Sequence, residues 1–149
     1  MSDAFEEQLE ALSILDNIKK EIEANAALRE SNSLLNAQEA RNNRGKLKSD
    51  LKKTTAIIKK VRAITPESLQ QCIRDTETLN LTLYLSEIVA ALLEAKFKFN
   101  EVPGIVKLCT QLHLLYEDFT NPLISGLKES LLQHDGDGKR KRIQIRFLI

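Results

Sequence analysis

The sequence predicts an all-α protein, a long N-terminal helix followed by stacked antiparallel helical hairpins. Three observations carry this. Five Gly and three Pro in 149 residues are too few turn-formers for a sandwich or barrel, since the two together average roughly 12% of residues. Apolar residues recur at intervals of three and four along most of the chain, the period of one helix face. The breaks between these stripes are short, and short connections make consecutive helices antiparallel neighbours.

Residues 3–43 contain neither Gly nor Pro and read as one helix, with Ser2 or Asp3 as N-cap and Glu6 and Glu7 suiting its positive end. Phe5, Leu9, Leu12, Leu15, Ile18 and Ile22 form an amphipathic stripe. Past Ile22 the heptad positions fall on Asn25 and Arg29, so a sustained coiled coil is not supported. The second half, with Asn32, Asn36, Asn42 and Asn43, is too polar to bury a face. Residues 1–45 are therefore expected to be a helical arm, partly solvated and docked only at its start. Residues 46–149 are expected to hold the stacked hairpins.

Residues 46–64 carry the strongest pattern. On a wheel of roughly 100° per residue, Leu47, Leu51, Thr54, Ile57, Ile58, Val61 and Ile64 fall within about 140°. Lys48, Lys52, Lys53, Lys59, Lys60 and Arg62 fall on the complementary side. Thr65-Pro66-Glu67 matches an N-cap, a proline at the first helical position and an acid in the first turn. The helix it opens carries Leu69, Cys72 and Ile73 and fades at Thr78-Leu79-Asn80. Leu81, Leu85, Ile88 and Leu92, widened by Tyr84, Val89 and Leu93, then predict a helix over 82–98 that touches two neighbours. Asn100 to Gly104 is a break with Asn100 as cap. The following helix buries Ile105, Val106, Leu108, Cys109, Leu112, Leu115 and Tyr116, and Phe119 finishes it. Thr120-Asn121-Pro122 opens another helix, with Leu123, Ile124, Leu127 and Leu131 inward. After the turn His134 to Gly138, residues 143–149 alternate as a strand would, while Ile143 and Phe147 also fit a helix face. The apolar pattern still runs at Ile149, which reads as a fragment.

Composition narrows the function. Hydrophobic residues at 42% and charged residues at 29% suit a soluble globular chain. The longest apolar run, Ile88 to Leu93, is far short of the ~20 residues of a membrane span. An acidic start (Asp3, Glu6, Glu7) does not suit a secretory signal, so an intracellular protein without membrane contact is expected. The net charge of +1 conceals strong local asymmetry. Residues 1–45 carry −4, 46–63 carry +6, 64–138 carry −6 and 139–149 carry +5. Two basic blocks thus stand in an acidic background.

No constellation supports catalysis. Cys109 and His113 share a helix face at i, i+4, yet the further ligands a zinc site needs, His134 and Cys72, lie in separate elements. The pair also lacks an orienting acid or an oxyanion loop. Asp135-Gly136-Asp137-Gly138 lacks the further acids of a calcium loop. Glu117 and Asp118 adjoin on a helix and point apart, so they form no acid–base pair. No enzyme activity, cofactor, metal or small-molecule substrate is expected. The lysine ridge of 48–62 reads first as a solvated helix face. Its functional reading is phosphate contact, because aligned cations displace counterions without reading bases. Lys139, Arg140, Lys141 and Arg142 suit a second phosphate contact, a nuclear-import run or helix-start solvation.

The runs LKSDLKKTTAIIKKVRAIT (Leu47 to Thr65) and LNLTLYLSEIVAALLEAKFKFNEVPGIVKLCTQLHLLYEDF (Leu79 to Phe119) resemble a known family. It is the first middle-domain-of-initiation-factor-4G repeat domain of the up-frameshift scaffolds of nonsense-mediated mRNA decay. The shared features are Leu51 to Ala56, Leu79-Asn80-Leu81, Ser86-Glu87, Val89-Ala90, Glu94-Ala95-Lys96, Leu108-Cys109 and Tyr116-x-Asp118-Phe119. The resemblance covers residues 46–149. It implies an α-solenoid of HEAT-like hairpins, truncated here, and a helix at Arg142 to Phe147. It further implies a non-enzymatic scaffold with partners in the up-frameshift complex, and a cytoplasmic, perinuclear or shuttling location. The family's partner-binding regions lie in a third domain and a C-terminal tail with no counterpart here, so none of those residues is assigned to this chain. Two other readings fit the same architecture, a translation-initiation or cap-binding adaptor and a plain helical dimerisation module driven by residues 5–22.

Overall fold

A computed structural model describes residues 2–33 and 36–132. The chain divides into two compact units, Met1–Leu35 and Asn36–Ile149. The first is a single helix, α1 (Ser2–Ser33). Its stripe residues Phe5, Leu9, Leu12, Leu15, Ile18 and Ile22 are exposed, and Asp16 pairs with Lys20 one turn on at 2.6 Å. The helix expected to run unbroken over 3–43 is interrupted. Ser33 turns its hydroxyl back to the Glu30 carbonyl at 2.7 Å, and Asn36 caps a new helix, α2 (Ala37–Asn43), by accepting from the Glu39 amide. Ser and Asn compete with the helix for backbone hydrogen bonds and so favour its ends. The polarity that was expected only to solvate an arm has instead divided it.

The second unit continues through a short 3₁₀ turn, Arg44–Lys46, into α3 (Leu51–Arg62), α4 (Pro66–Thr78), α5 (Leu85–Glu94), α6 (Val102–Leu115) and α7 (Thr120–Leu132). One layer holds α3, α5 and α7, each packed on the next. The other holds α4, α6 and α2, with α6 in the middle. The expected all-α hairpin stack is what forms. Helix α2 falls in the second unit, where Ala40 packs against the core. A small side chain on an otherwise polar helix brings α2 close to α6 without an apolar stripe.

Local chemistry sets the ends. Asp50 caps α3 through the Lys53 amide at 3.1 Å. Thr65 caps α4 with Pro66 and Glu67 in its first turn, as the sequence predicts, and Ser68 completes a reciprocal capping box that the sequence reading did not include. The cap expected at Asn100 does not form. Glu101 accepts from the Lys98 amide at 2.7 Å, pinning a 3₁₀ turn that leads into α6. Phe119 does not finish α6, which ends at Leu115. It is buried in the α6–α7 turn. Leu51, expected inside, is 63% exposed, because residue 48 leaves the helix to bridge Leu79 and α3 begins only after it.

A single core joins the layers. Ile57 and Val61 of α3, Cys72 of α4, Ile88 and Leu92 of α5, Ile105, Leu108 and Leu112 of α6, and Leu123 and Leu127 of α7 are all buried in it. Each such side chain gains about 1.5–3 kcal/mol from burial. Two glycines permit close helix approach: a Cβ on Gly104 would collide with Leu69 of α4, and one on Gly126 with Leu93 of α5.

Tyr116, fully buried, ties the layers at their turns. Its hydroxyl accepts from the Leu81 amide at 2.8 Å and donates to the Leu79 carbonyl at 3.3 Å. From the other side, the Lys48 amide donates to the Thr78 carbonyl at 3.3 Å and the Lys48 carbonyl accepts from Asn80 at 2.9 Å. The α4–α5 connection is thus held by both α6 and the segment before α3. Substituting Tyr116→Phe keeps the ring but strands a buried amide and carbonyl, so urea unfolding should show a loss of about 1–3 kcal/mol, with the native far-ultraviolet circular dichroism unchanged.

Candidate functional site

The candidate surface is built on α3. Thr54, Ile57, Ile58 and Val61 fill its inner face at the three-and-four spacing and are buried, and the Thr54 hydroxyl is satisfied by the Asp50 carbonyl at 2.8 Å. The residues between them are forced outward. Lys52, Lys53, Thr55, Ala56 and Lys59 are exposed, and Lys60 is half-buried at the edge.

The cations expected to form one ridge are of three kinds. Lys48 is exposed but is not on the helix, since its backbone pairs with residues 78 and 80 in an extended segment. Lys60 lies 3.5 Å from Asp75 of α4, and Arg62 lies 3.6 Å from Glu94 of α5. Asp75 also accepts from Gln71 at 2.9 Å. These edge pairs are worth roughly 0–1 kcal/mol each, but they offset the charge of two of the predicted contacts. Lys48, Lys52, Lys53 and Lys59 make no ion pair among the described residues. Lys139, Arg140, Lys141 and Arg142 lie outside the described residues, as do the Asp135–Gly138 turn and the element over 143–149.

Sequence reasoning missed two features. Arg41 and Arg44, assigned to a solvated arm, reach the C-terminal end of α6. Arg41 donates to the His113 carbonyl at 3.4 Å and Arg44 to the Leu115 carbonyl at 3.2 Å. Cations there meet the helix's negative end. The Arg44 guanidinium also stands 5.7 Å from the centre of the Tyr116 ring, within cation–π range. The available signal was basic side chains next to a small-residue helix, which looks the same as solvation without the fold. The second feature is a cleft of about 530 Å³ beside Arg44, Leu85, Val89, Tyr116 and Pro122, with Glu117 and Asp118 at its edge. These two acids lie in the α6–α7 turn and not on a helix as expected. Arg41 approaches Glu117 at 3.9 Å.

The metal-spaced pair Cys109 and His113 is otherwise engaged. His113 Nδ1 lies 2.6 Å from the Thr120 hydroxyl, and no cluster of three potential metal ligands occurs among the described residues. Burial pushes the Cys109 thiol up to about 12 from 9.0. Cys72 is pushed up to about 11, chiefly by burial, against the lowering effect of nearby Lys60. Such thiols are poor nucleophiles and ligands at neutral pH. A raised folded-state value means that the stability each thiol contributes is complete below pH 9.0 and is lost as pH rises through about 11 to 12. Thermal melts should therefore fall in midpoint above pH 9, and a Cys72→Ala, Cys109→Ala variant should show a shallower fall. Iodoacetamide at pH 8 should label both thiols far more slowly in the folded chain than in urea.

No helix of the described residues is long and apolar enough to cross a membrane. No family model matches the sequence. The chain is 37% identical over 118 residues to the regulator of nonsense transcripts UPF2 of Arabidopsis thaliana, a match covering 79% of this chain and 10% of the relative. It is 39% identical over 84 residues to the human regulator of nonsense transcripts 2, covering 56% of this chain and 7% of that one. The nonsense-mediated mRNA decay protein 2 of Schizosaccharomyces pombe is 33% identical over 95 residues, 60% of this chain and 9% of its own. The chain thus spans a tenth or less of the length of these relatives. In three dimensions it matches the crystal structure of the first MIF4G domain of human UPF2 with a TM-score of 0.71 and 29% identity, covering 92% of this chain and 45% of that one. Sequence and fold agree: the chain is similar to the first MIF4G domain of the UPF2 regulators of nonsense transcripts.

Proposed function

We propose that this chain is a non-enzymatic scaffold segment acting in nonsense-mediated mRNA decay. The observation that carries the reading is that the sequence likeness and the fold likeness lead to the same decay factor. The mechanism is geometric. A two-layer stack of helical hairpins joined by one core presents a fixed surface on which other factors are held in register. The chemistry agrees with this role: Cys72 is buried and Cys109 half-buried, desolvation favours the protonated form of both thiols, and the His113 imidazole is bonded to a hydroxyl. The partners in this reading are decay factors of the up-frameshift complex, with RNA touched through the exposed lysines of α3. The location is cytoplasmic, including perinuclear or shuttling populations.

A translation-initiation or cap-binding adaptor is the second reading, because the fold alone suits both. Sequence likeness to decay factors of plant, human and fission yeast favours decay. Affinity capture of the tagged chain from a cell lysate separates the two. Decay factors enriched over an untagged control are expected. Enrichment of initiation factors without decay factors would overturn the first reading.

A further inference from the structure

The exposed face of α3 is divided by its own ion pairs. Lys60 and Arg62 lean to opposite flanks, one to Asp75 of α4 and the other to Glu94 of α5. What remains between them is a row from Lys52 to Lys59, while Lys53 stands on the α4 flank, seven residues before Lys60 and on the same face. Lys52 and Lys59 are two helical turns apart, about 10.5 Å along the axis. The positions between and beyond them are short and exposed: Thr55, Ala56 and Ala63. Thr55 turns its hydroxyl back to the Leu51 carbonyl at 2.8 Å and so presents a methyl group outward. The result is a smooth ridge with cations on long, flexible stems.

We infer that the exposed lysines of α3 without an ion pair among the described residues, Lys52, Lys53 and Lys59, bind single-stranded RNA through its phosphates, without reading bases, while Lys60 and Arg62 serve to hold α3 to its neighbours. The inference rests on the RNA contact included in the reading above, and assigns it to particular side chains. A protein partner of stable affinity would need a central apolar or aromatic anchor. The outer face offers none beyond Leu51 at its first turn. A polyanion needs no such anchor, because neutralising phosphates releases counterions. α3 carries no aromatic side chain, so base stacking, which would give salt-independent affinity, is absent from this row. Binding is accordingly weak, tolerant of sequence and steeply dependent on salt.

The test uses the full chain and a fluorescently labelled 20-nucleotide oligouridylate, with anisotropy measured across a salt series. Each phosphate contact to a single strand contributes about −0.7 to the slope of log affinity against log salt. The triple substitution Lys52→Gln, Lys53→Gln, Lys59→Gln should make that slope shallower by about 2. Affinity at 0.1 M salt should then drop on the order of a hundredfold, with circular dichroism unchanged. The pair Lys60→Gln, Arg62→Gln should leave the slope as it is while lowering the melting midpoint. A parent chain that does not bind, or a triple variant with the parent's slope, overturns the inference. So does tighter binding of a labelled oligoglutamate of equal charge, which would assign the row to an acidic protein. Capture of decay factors by the same triple variant reads the scaffold role separately, since that role does not require these lysines.

Discussion

The hydroxyl of Tyr116 sits where the two helical layers of the second unit meet, and the arrangement of the helices depends on it. Hydrophobic burial supplies most of the stability of this unit, yet burial is nondirectional and does not by itself fix how one hairpin follows another. The connection between α4 and α5 is where that register is decided. There the backbone of residues 79–81 has left α4, and part of it lies in the core. An unpaired amide or carbonyl in such a place costs about 1–3 kcal/mol. Tyr116 satisfies one of each, and the backbone of Lys48 satisfies another pair at residues 78 and 80. Arg44 covers the ring and at the same time occupies a carbonyl at the end of α6. One turn therefore binds α6, the entry to α3 and the 3₁₀ segment after α2 to the same point.

That constraint has a consequence for the outer surface. With α3 held at its entry by Lys48 and along its inner face by Thr54, Ile57, Ile58 and Val61, its rotation about its own axis is fixed. The lysines between those positions then have no inward option. Lys60 and Arg62 find acids on α4 and α5, and Lys52, Lys53 and Lys59 find none among the described residues. The charge distribution of the candidate surface is thus a product of core packing. Among the described residues this surface places charge on a fixed frame.

The sequence was most legible where side-chain chemistry acts locally. Thr65-Pro66-Glu67 announces the start of α4, and the spacing of Ile57, Val61, Ile88, Leu92, Leu108 and Leu112 announces which faces are inside. The same reasoning was blind to long-range partners. Nothing adjacent to Arg41 or Arg44 shows that α6 ends beside them, so both read as solvated. Lys60 and Arg62 read as equivalent to Lys52 and Lys59 because their acids lie on other helices, at 75 and 94. Leu51 read as core because a helical period was extended through residue 48, where the chain is in fact extended. The N-cap at Asn36 was hidden in another way: Asn and Ser are tolerated within a helix as well as at its ends, and only the cap geometry distinguishes the two. The family resemblance was read from residues 47–65 and 79–119, which hold much of the buried core, including Ile57, Val61, Ile88, Leu108, Leu112 and Tyr116.

The central claim is that the α4–α5 connection is clamped by Tyr116 as part of the folded core. Amide hydrogen exchange resolved by NMR measures this directly at Leu81, an amide outside any helix whose only partner among the described residues is the tyrosine hydroxyl. The account predicts that Leu81 exchanges as slowly as the buried amides of α5 and α6, through global unfolding. Exchange at the rate of an exposed turn such as residues 117–118 would contradict it.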